Sequence, residues 1–146
     1  MPQLKKILVA YDGSPQSKEA LNWAIDLSRL SGAEIVAVKV FEISVLYAMP
    51  EIGGAGYVTA LDIMRREDQR LMAEIVATGH TKGAKVTGKL LQGNVAGQII
   101  SYAEKNNFDI IIAGTKGHNT LEGLLMGSVT RNLVSLSHIP VLVVKD

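Results

Sequence analysis

The sequence predicts an α/β fold, a single domain over residues 1–146 built on an open parallel sheet with helices on both faces, and three observations carry that expectation. Short apolar runs alternate five times with segments of helical periodicity, the pattern that βαβ units produce. The runs are apolar throughout rather than polar at every second residue, as in strands buried on both faces. The last unit, Phe108 to Val144, reads strand, glycine loop, helix, strand. A chain of 146 residues suits one domain and buries about 68–70% of its unfolded surface.

Taken in order, Lys6 to Tyr11 (KILVAY) is the first strand, with Asp12 at its C-terminal end. Ser14-Pro15 supplies an N-cap and a proline at the first helical position. Ala20, Leu21, Ala24, Ile25 and Leu27 recur at helical spacing until Gly32 ends the helix. Glu34 to Val40 is the second strand. The connection from Phe41 to Val58 contains Pro50 and Gly53-Gly54-Ala55-Gly56 and reads as a long loop. A helix is expected from about Thr59, where Thr59-x-x-Asp62 spells a capping box, with Leu61, Met64, Leu71 and Ile75 on its apolar face. Arg65, Arg66, Glu67, Asp68 and Arg70 are assigned to the opposite, solvated face. Lys85 to Leu91 is a weaker strand. Gly93-Asn94 opens a helix with Val95, Ile99, Ile100 and Ala103 that ends at Asn106-Asn107. Trp23 and Met64 are expected in the core.

Composition excludes several functions. The longest apolar runs fall short of the roughly 18 residues that suggest a membrane span. No apolar signal segment precedes the first strand, so a cytoplasmic location is the expectation. Zero cysteines remove disulfides, thiol catalysis and cysteine-ligated metal. Net charge is only +1, aromatics are 5% of residues and the basic residues are scattered, which argues against nucleic acid as a partner. His80 and His138 have no acids at ligand spacing and no H-E-x-x-H occurs, so no metal site is expected from histidine. The position of His138 near a helix end suits the helix dipole.

The chemistry concentrates after the apolar run Ile110 to Ala113. Gly114, Gly117 and Gly127 are spaced G-x2-G-x9-G, Ser128 follows at once, and a helical pattern begins with Val129, Leu133, Val134 and Leu136. The first amides of a helix have no intrahelical partners and carry the positive end of its dipole, so this unit forms an anion site, with phosphate as the expected guest. Glycines admit close approach of backbone amides to phosphate, and Ser128 adds a hydroxyl and an expected N-cap. Lys116 and His118 lie within the loop and can help neutralise a triphosphate. No Walker G-x-x-x-x-G-K-[ST] occurs, and Asp12-Gly13-Ser14 stands where a dinucleotide fold would carry G-x-G-x-x-G.

The G-x2-G-x9-G-[ST] spelling, followed by a helix and the strand Pro140 to Val144, resembles the universal stress protein family, and the resemblance extends over the whole chain. It implies a Rossmann-like sheet of order 3-2-1-4-5, whose first and fourth strands meet at the switch point where ligands bind. It further implies an adenine nucleotide site. There Asp12 would touch the ribose or a phosphate-bound Mg2+, the main chain of Val40 would read the adenine edge, and Gly114, Gly117, Gly127, Ser128 and Val129 would hold phosphate. For Asp12 taken by itself, an Asx turn with Gly13 and Ser14 is the alternative reading.

The expected function is therefore an ATP-binding module in stress response or signalling, with ATP as ligand, alone or with Mg2+, and cyclic AMP as a competing candidate. A slow ATPase on the same site is the alternative, disfavoured because no residue is clearly placed to orient water. A nucleotide-free interaction protein is the third reading, which fits relatives that lack the glycines. Of the two expected sheet edges, Lys85, Gly88 and Lys89 defend one. The other, Val141 to Val144, carries no charge, so a homodimer through that strand is expected.

Overall fold

The computed structural model describes residues 3–42, 55–116 and 126–145. The elements run β1 (Lys6–Ala10), α1 (Pro15–Ser31), β2 (Glu34–Phe41), α2 (Ala55–Thr81), β3 (Val86–Gln92), α3 (Val95–Lys105), β4 (Ile110–Gly114), α4 (Ser128–Leu136) and β5 (Val141–Val144). The strands form one sheet of order β3-β2-β1-β4-β5, and every pairing is parallel. The α/β class and the strand order implied by the family resemblance both hold.

Because successive side chains of a strand leave on opposite faces, the sheet divides the core in two. Ile7, Val9, Ile35, Ala37 and Ile112 pack with Ala20, Leu21 and Ile25 of α1 and Met72 and Ile75 of α2. Leu8, Val38, Val40, Ile111 and Ala113 pack on the other face with Ile99 and Ala103 of α3 and Leu133 of α4. Both layers are dry, with Ile7, Leu8, Ile35, Ile99, Ile111 and Leu133 all essentially inaccessible to solvent.

Local chemistry fixes the helix ends that aim at the upper rim of the sheet. The Ser14 hydroxyl oxygen accepts from the Ser17 amide at 3.2 Å, Pro15 occupies the first turn, and Gly32 closes α1 with φ 79°. Asn94 caps α3 in the same manner, its Oδ1 accepting from the Gly97 amide at 2.9 Å. Three expectations need correction. Helix α2 begins at Ala55, so Thr59 lies inside it and makes no N-terminal capping box; the part of the Phe41–Val58 connection between 43 and 54 falls outside the described residues. Trp23 is 49% exposed rather than core. His138, beyond the end of α4, has a specific acid partner: its Nδ1 lies 3.0 Å from Glu104 Oε1, which also accepts its amide at 3.2 Å, and these bonds hold the Glu104 carboxyl below the usual range.

Candidate functional site

Strands β1 and β4 are neighbours, yet the chain leaves β1 in one direction to build β2 and β3 and returns to build β4 and β5 on the other side. The C-terminal ends of these two strands thereby bound a crevice, as at other switch points of open parallel sheets. A cleft of about 600 Å³ occupies it.

At one end lies the start of α4. Gly127 is the N-cap, with φ −73° and ψ 163°, and among the described residues no side chain caps the helix. Ser128, expected as the cap, is instead the first helical residue. The first intrahelical bond runs from the Arg131 amide to the Gly127 carbonyl at 3.0 Å, so the amides of Ser128, Val129 and Thr130 precede the helical ladder and have no backbone partner among the described residues, an arrangement that suits an anion. Two contacts hold this end in place. The Gly127 amide donates to the Thr115 carbonyl at 2.7 Å, and the buried Thr130 hydroxyl donates to the Gly114 carbonyl at 2.7 Å. Lys116 adds a cation to the wall.

Gly114 serves a different need. A Cβ built on it would stand 2.7 Å from Gln16 Cβ and 2.9 Å from the Gln16 backbone carbon, so its missing side chain lets the first turn of α1 cross the end of β4. Gly127 faces no such constraint from its backbone, since its dihedrals suit any residue.

The middle of the cleft carries Asp12. Its Oδ1 accepts from the Ser14 amide at 2.9 Å, the Asx turn that the sequence alone allows, with Gly13 at φ 85° completing the bend. The beginning of α1 thus fixes where the carboxylate lies. Beside it, burial pushes the Tyr11 phenol up, and the nearby charges of Glu74 and Asp12 push the same way.

The far end is made by β2, which outruns β1. The Tyr11 amide donates to the Val38 carbonyl at 2.9 Å, after which the chain turns away into α1, while β2 continues to Phe41 beside β3 alone. Main-chain groups two residues apart along a strand face the same side, so the Val40 amide and carbonyl point where β1 has departed. No backbone group among the described residues pairs with them there. A donor and an acceptor stand side by side at the cleft.

Asp12, Val40, Gly114, Lys116, Gly127, Ser128 and Val129 all line this one cleft, from three separate stretches of chain. Gly117 and His118 lie outside the described residues. The sequence reading missed the α2 wall. Ile63, Met64, Glu67 and Asp68 line the cleft opposite the strand ends, so Met64 is a wall residue rather than core and Asp68 does not sit on the outer face, while Glu67 stays largely solvated at the rim, paired with Arg70. Burial raises the Asp68 carboxyl above its ordinary value; Lys39 opposes the shift and Glu67 adds to it. The signal was present in the spacing. Met64, Asp68, Leu71 and Ile75 are separated by three or four residues and share one helix face.

The model of the universal stress protein family matches residues 3–145. The chain belongs to the universal stress protein family. Universal stress protein MJ0531 of Methanocaldococcus jannaschii is 33% identical over 141 residues, covering 97% of this chain and 82% of its own. Among solved structures, that of the hypothetical protein MJ0577 superposes with a TM-score of 0.85 at 29% identity, covering 99% of this chain and 98% of the other. A universal stress protein in complex with cAMP has a TM-score of 0.74 at 19% identity (99% and 98% covered), and one from Archaeoglobus fulgidus in complex with dAMP has 0.69 at 20% (98% of each). At those identities the two complexes establish a common fold with this universal stress protein.

Proposed function

We propose that this universal stress protein is an adenine nucleotide-binding module, with ATP as its ligand, acting in cytoplasmic stress response or signalling. The observation that carries the reading is the pairing of two main-chain features across one cleft: the uncapped start of α4 and the Val40 amide and carbonyl that β1 leaves unpartnered. The first suits phosphate. The second suits the edge of adenine, whose N1 accepts and whose N6 amino group donates, and it mismatches the corresponding edge of guanine. The family members solved with cAMP and dAMP support the same class of ligand.

Asp12 lies between these ends, at the position a ribose or a phosphate-bound Mg2+ would occupy. Among the described residues no group of three His, Cys, Asp or Glu could hold a metal ion, so Mg2+ would arrive on the phosphates, with Asp12 as the residue to meet it. Among the described residues, no helix is long and apolar enough to cross a membrane. The exposed edge β5 is assigned to a homodimer through Val141–Val144.

Mass spectrometry of the denatured, freshly purified protein identifies a co-purified nucleotide, and isothermal titration with ATP and with cyclic AMP ranks the candidates. The deciding variant is Gly127→Val, which the backbone tolerates and which places a branched side chain in the phosphate's space. Loss of ATP binding in a variant with a wild-type circular dichroism spectrum is expected. Unchanged affinity would refute the phosphate assignment.

A further inference from the structure

The acidic wall contributed by α2 is unexplained by a phosphate site. Carboxylates beside a polyphosphate repel it, so acids that line a nucleotide cleft belong at the end remote from the phosphates. That is where the structure has them. Lys39 follows Ile35 and Ala37 onto the α2 face of β2, immediately before Val40, and its ammonium is an electrostatic neighbour of Asp68. The Asp68 carboxyl therefore lies on the side of the cleft where α2 packs on β2 and β3, with β1 between it and the β4–α4 end that carries Gly127 and Lys116. Its neighbour Glu67 is already engaged, with the Arg70 guanidinium 2.7 Å from its Oε2.

Asp68 is half-buried, and the desolvation that raises its pKa makes a ligand hydrogen bond to its carboxylate more valuable than one made in open water. An adenine whose Watson–Crick edge meets Val40 gives one N6 hydrogen to the Val40 carbonyl. Its second N6 hydrogen is left inside the cleft and needs an acceptor.

Resting on the adenine nucleotide reading above, we propose that Asp68 is a specificity-determining residue that accepts the second N6 hydrogen and so selects 6-amino purines. A 6-oxo purine would turn lone pairs toward both the Val40 carbonyl and the Asp68 carboxylate. The discrimination then has two sources, one in the main chain of β2 and one in a side chain of α2. Only the second can be removed by mutation.

The test is isothermal titration of wild type, Asp68→Asn and Asp68→Ala with ATP and with inosine triphosphate, which differs at the 6-position. Wild type should prefer ATP. Both variants should lose about tenfold of that preference, the size of a hydrogen bond to a charged acceptor, while their affinity for inosine triphosphate holds or improves. An unchanged preference overturns the assignment, and so does an equal loss for both nucleotides, which would mark a structural role. If wild type binds neither nucleotide, the nucleotide reading itself falls and this inference with it; if it binds ATP and the variants keep the preference, only the role of Asp68 falls.

Discussion

Two glycines of one sequence motif do different work at the scale of the single residue. Gly114 is needed by packing, because a Cβ would meet the Gln16 backbone at 2.9 Å. Gly127 has an unstrained backbone and lines the open cleft. Gly114→Ala should therefore destabilise the protein by about 1–3 kcal/mol, the usual cost of forcing an extra carbon into a close-packed contact, as read from the midpoint of urea unfolding. A variant as stable as wild type would mean that α1 can move off β4 without cost. In the sequence both were simply members of a phosphate-loop pattern. Spacing reveals that glycine recurs, whereas the neighbour that forbids a side chain comes from a distant helix.

Among the elements, α2 is where sequence and structure part. A run of five charges between Arg65 and Arg70 reads as solvent-facing, and Glu67 is so, yet Asp68 shares the face of Met64 and Leu71 and lines the cleft half-buried. Gly88, read as protection for an exposed edge, also admits this helix: a Cβ there would lie 2.8 Å from Met72 Sδ. The burial of Asp68 has a consequence for stability. Its folded-state pKa lies above the ordinary 3.8, so the folded chain holds this proton more tightly than the unfolded chain does. The contribution is fully present below the unfolded value and is lost as pH rises through the folded value. Asp68→Asn should accordingly gain stability relative to wild type between about pH 3 and pH 7. Denaturation midpoints of the two proteins across that range check it, and a difference independent of pH would contradict the burial.

The whole molecule presents two sheet edges of unequal character. On β3, Thr87 and Lys89 are exposed. On β5, Val141, Leu142 and Val143 are half-buried and carry no charge, which suits pairing with a symmetry mate. Val143→Pro removes a backbone donor and should convert a dimer to monomer in sedimentation at micromolar concentration. A monomeric wild type, or a folded variant that stays dimeric, would exclude this interface. The same global arrangement bears on catalysis. Main-chain groups and a carboxylate fixed by its own Asx turn can hold a nucleotide, and hydrolysis of ATP should stay far below the roughly 1–100 s⁻¹ of kinases. Turnover at that rate, abolished by Asp12→Ala, would promote the enzyme reading.

Periodicity and end-capping chemistry act within a few residues of chain, so the five strands, the cap Ser14, the helix start after Gly93-Asn94, the stop at Gly32 and the strand-loop-helix unit around Gly127 were all legible in the sequence. The strand order was legible as well, through a resemblance rather than through the residues' own spacing. What tertiary structure decided were relations between distant segments. It set the orientation of the Val40 main chain, the contact that makes Gly114 obligatory, the exposure of Trp23 and the turning of Asp68 into the cleft. Each depends on where one strand ends beside another or which helix crosses it. Those distances are fixed only when the two halves of the core close on the sheet.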